Sequence, residues 1–312
     1  MTADSRLSRA EAQSLARDAL AEQHPGHAYG LGCLKNSDRP MRAQVFCAAH
    51  PDAHLVVKVY AATEADKARA QAERQRAVAA QLQAGPWRAP QVLFFDEARL
   101  VLGMTYAPGP NLAELWPRIP PAKRDVPLVA AGCWLAALHR PTLEPRKLRP
   151  RGQLSWLEAQ LEAARASDDG FAECENFAFA LAALQDLFPQ ARGRMATRAV
   201  THRDLHLSNL VSATGALWGL DVENAKPDAP YRDLVGLLVD ALARSPAPDP
   251  RRFGAALARG YGDDTTDPVA RLFLQRAYAL GVWCRTPSEP SQHQRARLEA
   301  AKMILAAESA LF

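Results

Sequence analysis

One stretch of the chain carries His202, Asp204, His206 and Asn209, followed after an apolar run by Asp221 and Glu223. The order is His-x-Asp, four residues, Asn, then a short strand-like run ending in Asp-Val-Glu. These types at this spacing suit phosphoryl transfer. Asp204 can accept the proton of an attacking hydroxyl and hold that hydroxyl in line. Asn209 and Asp221 can present oxygens to magnesium, which takes hard oxygen ligands beside nucleotide phosphates. Glu223 can join the metal directly or through water, or instead pair with an arginine. His202 suits a brace, its ring bonding backbone carbonyls, and His206 can orient Asp204 or approach the phosphates. Asp233, at the start of a helix, suits a brace through N-terminal hydrogen bonds.

Such groups must be held by something. Val200-Thr201, Leu210-Val211 and Leu217 to Leu220 are short apolar runs of buried-strand type. Upstream, Ser8 and Glu11 form a capping-box signal for a helix reaching about Gln23. Alternating runs at 30–34, 43–49 and 54–60, separated by polar turns, predict an antiparallel meander. A long Ala-, Gln- and Arg-rich helix is expected over 64–84, stopped by Gly85-Pro86, with strands at 91–95 and 100–105. Ala107-Pro108-Gly109-Pro110 is a linker signal. Beyond it the periodicity is mostly helical, at 126–139, 156–166, 174–187, 231–243, 250–261, 269–283 and 295–311, with 141–151 an exposed connection.

Within the meander, Lys58 interrupts the apolar strand Val56 to Tyr60, and a buried lysine needs an anionic partner. Glu73 sits in the middle of the following helix. Glu64 lies in that helix's first turn, where an acid simply complements the dipole.

The motif resembles the catalytic segment of kinases with the protein-kinase-like fold, most nearly the aminoglycoside phosphotransferase and choline kinase families. These typically carry His-Gly-Asp-Leu-His followed by Asn; this chain has Arg203 in place of the Gly and His206 where protein kinases usually have Lys. The resemblance spans about residues 28–300 and is specific at 200–224. It implies an α+β, two-lobed fold: residues 1–106 as an N-terminal helix and nucleotide-binding lobe with a small antiparallel sheet, and 107–312 as a helical lobe with the catalytic loop and acceptor site. It also implies that ATP and Mg are used, that Lys58 contacts the nucleotide phosphates, and that Glu73 supports Lys58. Met104-Thr105-Tyr106-Ala107-Pro108-Gly109 resembles the hinge of small-molecule kinases, making Thr105 and Tyr106 adenine-binding candidates through their backbone. The turn at 35–39 lacks a Gly-rich sequence; Asn36 and Ser37 are its phosphate-capping candidates.

The implied activity is transfer of the γ-phosphoryl group to a hydroxyl of a small molecule: an amino alcohol, sugar or aminoglycoside-like compound. A nucleotide-binding pseudokinase is the alternative. A protein kinase is disfavoured: Asp-Phe-Gly is missing, and only eleven residues lie between Asp221 and Asp233.

Composition bounds the remaining choices. The 312 residues are 48% hydrophobic, enough for a well-packed core. A formal charge of +4 does not indicate nucleic acid. No membrane association is expected: Met1 to Asp18 has no apolar signal core, and no run is long enough to span a bilayer. Five scattered cysteines fit buried reduced thiols in a cytoplasmic protein. For the acceptor, Asp228, Asp240 and Asp263-Asp264 are too dispersed to form an evident acidic cradle. Tyr278, Trp283 and Trp218 could wall an aromatic cage, although aromatics at helical spacing usually belong to a core. The basic run Arg140, Arg146, Lys147, Arg149 and Arg151 could attract an acidic substrate or simply form a solvated face.

Overall fold

The computed structural model describes residues 6–34, 40–167 and 170–312. It divides into two compact units, and the division is not a single cut in the chain. Residues 1–109 and 211–224 form the first; 110–210 and 225–312 form the second.

The first unit opens with helix α1 (Arg9–Gln23), whose Ser8–Glu11 capping box closes in both directions. Strands β1 (Gly30–Cys33), β2 (Ala43–His50) and β3 (Ala53–Tyr60) follow, then helix α2 (Ala65–Gln81). The two-residue strand β4 (Trp87–Arg88), β5 (Val92–Asp96) and β6 (Val101–Thr105) complete this pass. The main sheet is antiparallel, in the order β1-β2-β3-β6-β5. Its middle strand, β3, has both faces covered. Alternation along a strand sends Leu55, Val57 and Val59 into a cluster with Ala12, Ala16 and Leu20 of α1. It sends Val56 and Tyr60 into a second cluster with Ala68 and Ala72 of α2. Lys58 belongs by the same alternation to the α2 face, opposite Val45 on β2 and Leu102 on β6. The returning segment adds a hairpin, Leu210–Ala213 and Ala216–Gly219, whose second strand runs parallel to β4.

The second unit is largely helical: α3 (Leu112–Leu115), α4 (Asp125–His139), α5 (Arg151–Arg165), α6 (Cys174–Ala191), α7 (Tyr231–Ala243), α8 (Pro250–Tyr261), α9 (Pro268–Trp283) and α10 (Gln292–Leu305). Its core joins Leu154 and Leu157 of α5, Phe177, Leu181 and Leu184 of α6, Phe273, Leu280 and Trp283 of α9, and Leu298 of α10. Helices α4 and α8 pack at close range. A Cβ added to Gly132 would lie 2.3 Å from the Leu257 carbonyl, and one added to Gly260 would lie 2.0 Å from that of Val129. Two glycines thus let the backbones meet where any side chain would separate them. The segment expected as an exposed connection is exposed, yet it contains strand β7 (Glu144–Lys147), paired antiparallel with β8 (Met195–Val200). Its proline and charges are tolerated because every β7 side chain faces solvent. Helix α10 starts one turn earlier than its apolar pattern suggested, because Ser291 and Gln294 form a capping box.

Candidate active site

In the first unit the chemistry gathers around Lys58. Its side chain is almost wholly enclosed, at 9% exposure. Its ammonium donates to Asp221 Oδ1 at 3.0 Å and to Glu223 Oε1. Lys67, on the first turn of α2, reaches the other Glu223 oxygen at 3.0 Å. Burial works against the charge of Lys58, but the two carboxylates outweigh it and hold the ammonium well above the ordinary lysine value. Asp221 takes a left-handed backbone, φ 60°, and its carbonyl accepts from the Glu223 amide at 2.9 Å. This tight turn places both carboxylates on the same ammonium.

The expected partner of Lys58 is therefore corrected. Glu73 is exposed, and Lys58 pairs with the 221–223 segment instead. The reason is helical phase. The face of α2 that is buried carries Ala68, Gln71, Ala72, Gln75, Val78 and Ala79, and Glu73 lies off that stripe. The polar groups on the stripe are amides: Gln71 accepts from the Tyr60 hydroxyl, and Gln75 donates to the Pro90 carbonyl at 2.6 Å. Glu64 lies 3.8 Å from Arg42. Thr105 ends β6, where its hydroxyl accepts from the Gln91 amide at 2.9 Å; Tyr106 follows, edge-on to His54. Asn36 and Ser37 lie outside the described residues.

In the second unit the segment 202–209 lies along one face of α7. The buried carboxylate of Asp233 accepts from the backbone amides of His202 at 2.6 Å and Arg203 at 2.7 Å. One turn on, a Cβ added to Gly236 would lie 3.0 Å from the Leu205 carbonyl, so glycine lets the loop sit close. A further turn on, buried Asp240 accepts from the Leu207 amide at 2.9 Å. Asp233 is itself held from behind by His139 Nε2 at 3.0 Å, and His139 Nδ1 meets the Tyr261 hydroxyl at 3.2 Å. Burial would raise the Asp233 carboxyl, but its bonds to His139 and the His202 amide prevail and keep it below the ordinary carboxylate value.

On that support, Asp204 is exposed and Asn209 half-buried. The Asn209 amide nitrogen donates to the Asp204 carbonyl at 2.9 Å, which fixes the direction of Oδ1. His202 is buried, edge-on to Trp134. His206 bonds the Ser208 hydroxyl at 2.7 Å, and burial lowers its imidazole below the ordinary histidine value despite nearby Asp204 and Asp240. Arg203, at the position where the resembling families have Gly, has φ 71°. Glycine adopts that conformation without cost, whereas an arginine there carries backbone strain. Its amide bond to Asp233 and its guanidinium, 3.6 Å from Asp228, hold it in place.

Sequence reasoning missed Asp240, Gly236 and His139 as loop supports. Two acids seven residues apart in the largely apolar α7 carried a signal, since buried carboxylates need partners. Asp264, weighed as an acceptor-binding acid, is buried and accepts from Thr197 at 2.8 Å and Tyr231 at 3.2 Å. The Trp283 indole donates to the Ala172 carbonyl inside the core. Arg140, Arg146, Lys147, Arg149 and Arg151 are exposed, and the five cysteines are free, with Cys284 buried and the other four half-buried.

Asp221 and Glu223 offer hard oxygens around one cationic position, a donor set that fits magnesium. Among the described residues no cluster of three or more His, Cys, Asp or Glu is gathered to hold a metal. Magnesium bound partly by phosphates and water needs no such cage. No helix among those residues is long and apolar enough to cross a membrane.

A family model described as a phosphotransferase enzyme family matches residues 42–273. No curated protein matches the chain in sequence. Among solved structures, a choline/ethanolamine kinase family protein from Mesorhizobium loti is similar, with TM-score 0.60, 15% identity and 95% of both chains covered. A ternary complex of streptomycin, ATP and APH(2″)-IIa gives TM-score 0.52 at 13% identity, over 93% of this chain and 95% of that one. The macrolide 2′-phosphotransferase of Brachybacterium faecium gives 0.54 at 15%, over 94% and 97% respectively. The α+β fold is thus of the protein-kinase-like type found in these phosphotransferases and kinases.

Proposed function

From the premise that the chain belongs to the phosphotransferase enzyme family, we propose that it moves the γ-phosphoryl group of ATP to a hydroxyl of a small molecule. The observation that carries this reading is the buried Lys58 ammonium held by Asp221 and Glu223. An ammonium so placed is available to nucleotide phosphates once these compete with the two carboxylates. Asp221 and Glu223 would offer oxygens to magnesium, which offsets charge on the phosphates when bound, and Asn209 Oδ1 is the second unit's candidate for the same role. Thr105 and Tyr106 would meet adenine through backbone groups. Asp204 would accept the acceptor's proton and orient its oxygen. The hydrogen bonds from His202, Arg203 and Leu207 to α7 hold the loop before substrate arrives, so little reorganisation accompanies the step.

The similar structures differ in the small molecules their descriptions name, so the acceptor must be read from this chain's own pocket. The test is ADP release from Mg-ATP across hydroxyl acceptors of differing charge and size, beside direct nucleotide binding. Acceptor-dependent release that disappears in Asp204→Asn, with nucleotide binding retained, is the expected result. Nucleotide binding without release for any acceptor would overturn the reading in favour of a non-catalytic nucleotide-binding protein.

A further inference from the structure

Asp204 lines a cleft of about 400 Å³ that lies wholly within the second unit, between α5, α7 and α9. The charges on its wall are Arg203, Arg232, Arg285 and Arg297 against Asp204 and Asp228. Asp228 is already engaged. Its carboxylate accepts from the Tyr278 hydroxyl at 2.7 Å and from Arg232 at 3.0 Å, with Arg203 at 3.6 Å. Arg297 leans on buried Asp240 at 3.5 Å, and Asp240 is shared with Arg244. Arg285 differs from the other three: among the described residues no carboxylate lies within ion-pair distance of it. Its guanidinium sits over the exposed Trp156 ring, 5.3 Å from the centroid. Stacking fixes the plane of a guanidinium while leaving its edge donors free, which suits a two-point grip on carboxylate or phosphate.

We infer that this cleft selects a hydroxyl compound bearing a carboxylate or phosphate group, and that Arg285 on its Trp156 platform is the residue that reads that charge. The only carboxylate on the wall not already engaged by an arginine is Asp204, which the reaction itself requires. A polycation entering here would meet guanidiniums in place of an acidic cradle. An anion would complete the partners of Arg285 and place its hydroxyl beside Asp204. Tyr278 belongs to the Asp228 network and forms no part of an aromatic cage for a quaternary amine. The position of Asp204 in the reaction rests on the phosphotransferase reading above; the charge preference of the cleft does not.

A matched set isolates charge from shape: glucose, glucosamine, gluconate and glucose 6-phosphate, titrated calorimetrically against the wild-type protein, Arg285→Glu and Arg285→Lys. At least tenfold tighter binding of gluconate or glucose 6-phosphate than of glucose is expected, with glucosamine weakest. Arg285→Glu should erase that preference, and Arg285→Lys should restore part of it. Equal binding of all four, binding of none, preference for glucosamine, or a preference unchanged in Arg285→Glu overturns the inference. The same compounds assayed for ADP release keep the two claims apart. Anion-selective binding without turnover would count against the phosphotransferase reading alone, and Asp204-dependent turnover of a cation would count against the charge inference alone.

Discussion

The two acidic segments treat their carboxylates in opposite ways. Along α7, Asp233 and Asp240 are fully buried and accept from the backbone amides of His202, Arg203 and Leu207, with His139 behind Asp233 and Arg244 and Arg297 beside Asp240. At 221–223, Asp221 and Glu223 are half-buried, and their partners are the side-chain ammonium groups of Lys58 and Lys67. An amide bonded to a buried carboxylate has no alternative partner nearby, so that arrangement is fixed. An ammonium held by half-exposed carboxylates can exchange one anion for another at modest cost, because water and phosphate both compensate it. The first arrangement gives a rigid platform for Asp204. The second gives a charge cluster that can rearrange around a ligand.

The comparison is tested most severely where platform and chemistry separate. Asp204→Asn should lower kcat by about 10²–10⁴-fold. Because Asp204 is exposed, unfolding free energy should stay within about 0.5 kcal/mol of wild type. Steady-state kinetics paired with urea unfolding reads both; a large stability change would mean that Asp204 belongs to the platform it stands on. Asp233→Asn should do the reverse first. Removing a buried charge that holds two amides and His139 should cost about 3 kcal/mol, and activity should fall only as loop geometry loosens. A cost under about 1 kcal/mol would equate Asp233 with a surface carboxylate and remove the contrast.

Acid sensitivity carries the same distinction at smaller amplitude. Asp233 has a depressed folded value, so its contribution is complete above the unfolded carboxylate value of about 3.9 and is lost as pH falls through the folded value. His206 is depressed as well, but for an imidazole this means that the folded state resists protonation. Stability should therefore decline as pH falls below the unfolded histidine value of about 6.5. His206→Gln should flatten that upper part of the acid limb and leave the lower part, due to Asp233, in place. Urea unfolding at a series of pH values checks it; an unchanged slope between pH 7 and 5 would mean that His206 titrates alike in both states.

Much of this was legible in the sequence where a local rule decides. Ser8 and Glu11 mark their own helix start, and alternation around Lys58 gives a strand with a lysine on one face. The polar spacing from His202 to Asp221 gives the candidate chemistry. What was not legible depends on which residue of one element meets which residue of another. The Asp228–Tyr278–Arg232 network draws on positions up to fifty residues apart, and nothing in each local pattern predicts the meeting. The strand at Glu144–Lys147 has neither alternation nor β-branched residues; it exists because β8 supplies an edge. The return of 211–224 to the first unit is likewise a property of topology.

Glu73 is the sharpest instance, and it yields the smallest predicted effect. Helical spacing placed Glu73 on α2, the element that follows the Lys58 strand. Phase within the helix was the missing quantity: two residues earlier or later the side chain is buried, as Gln71 and Gln75 are, and at 73 it is in water. Glu73→Gln should change unfolding free energy by less than about 0.5 kcal/mol and leave nucleotide affinity unaltered. Glu223→Gln should weaken nucleotide binding in magnesium, because it removes a carboxylate assigned to the metal, a loss that outweighs the release of Lys58 and Lys67 from that group. Parallel nucleotide titrations of the two variants distinguish the assignments. A loss of affinity in Glu73→Gln equal to that in Glu223→Gln would mean that Lys58 changes partners from the 221–223 segment to α2 when nucleotide binds. The exchangeable character assigned to this cluster would then extend to the helix beside it.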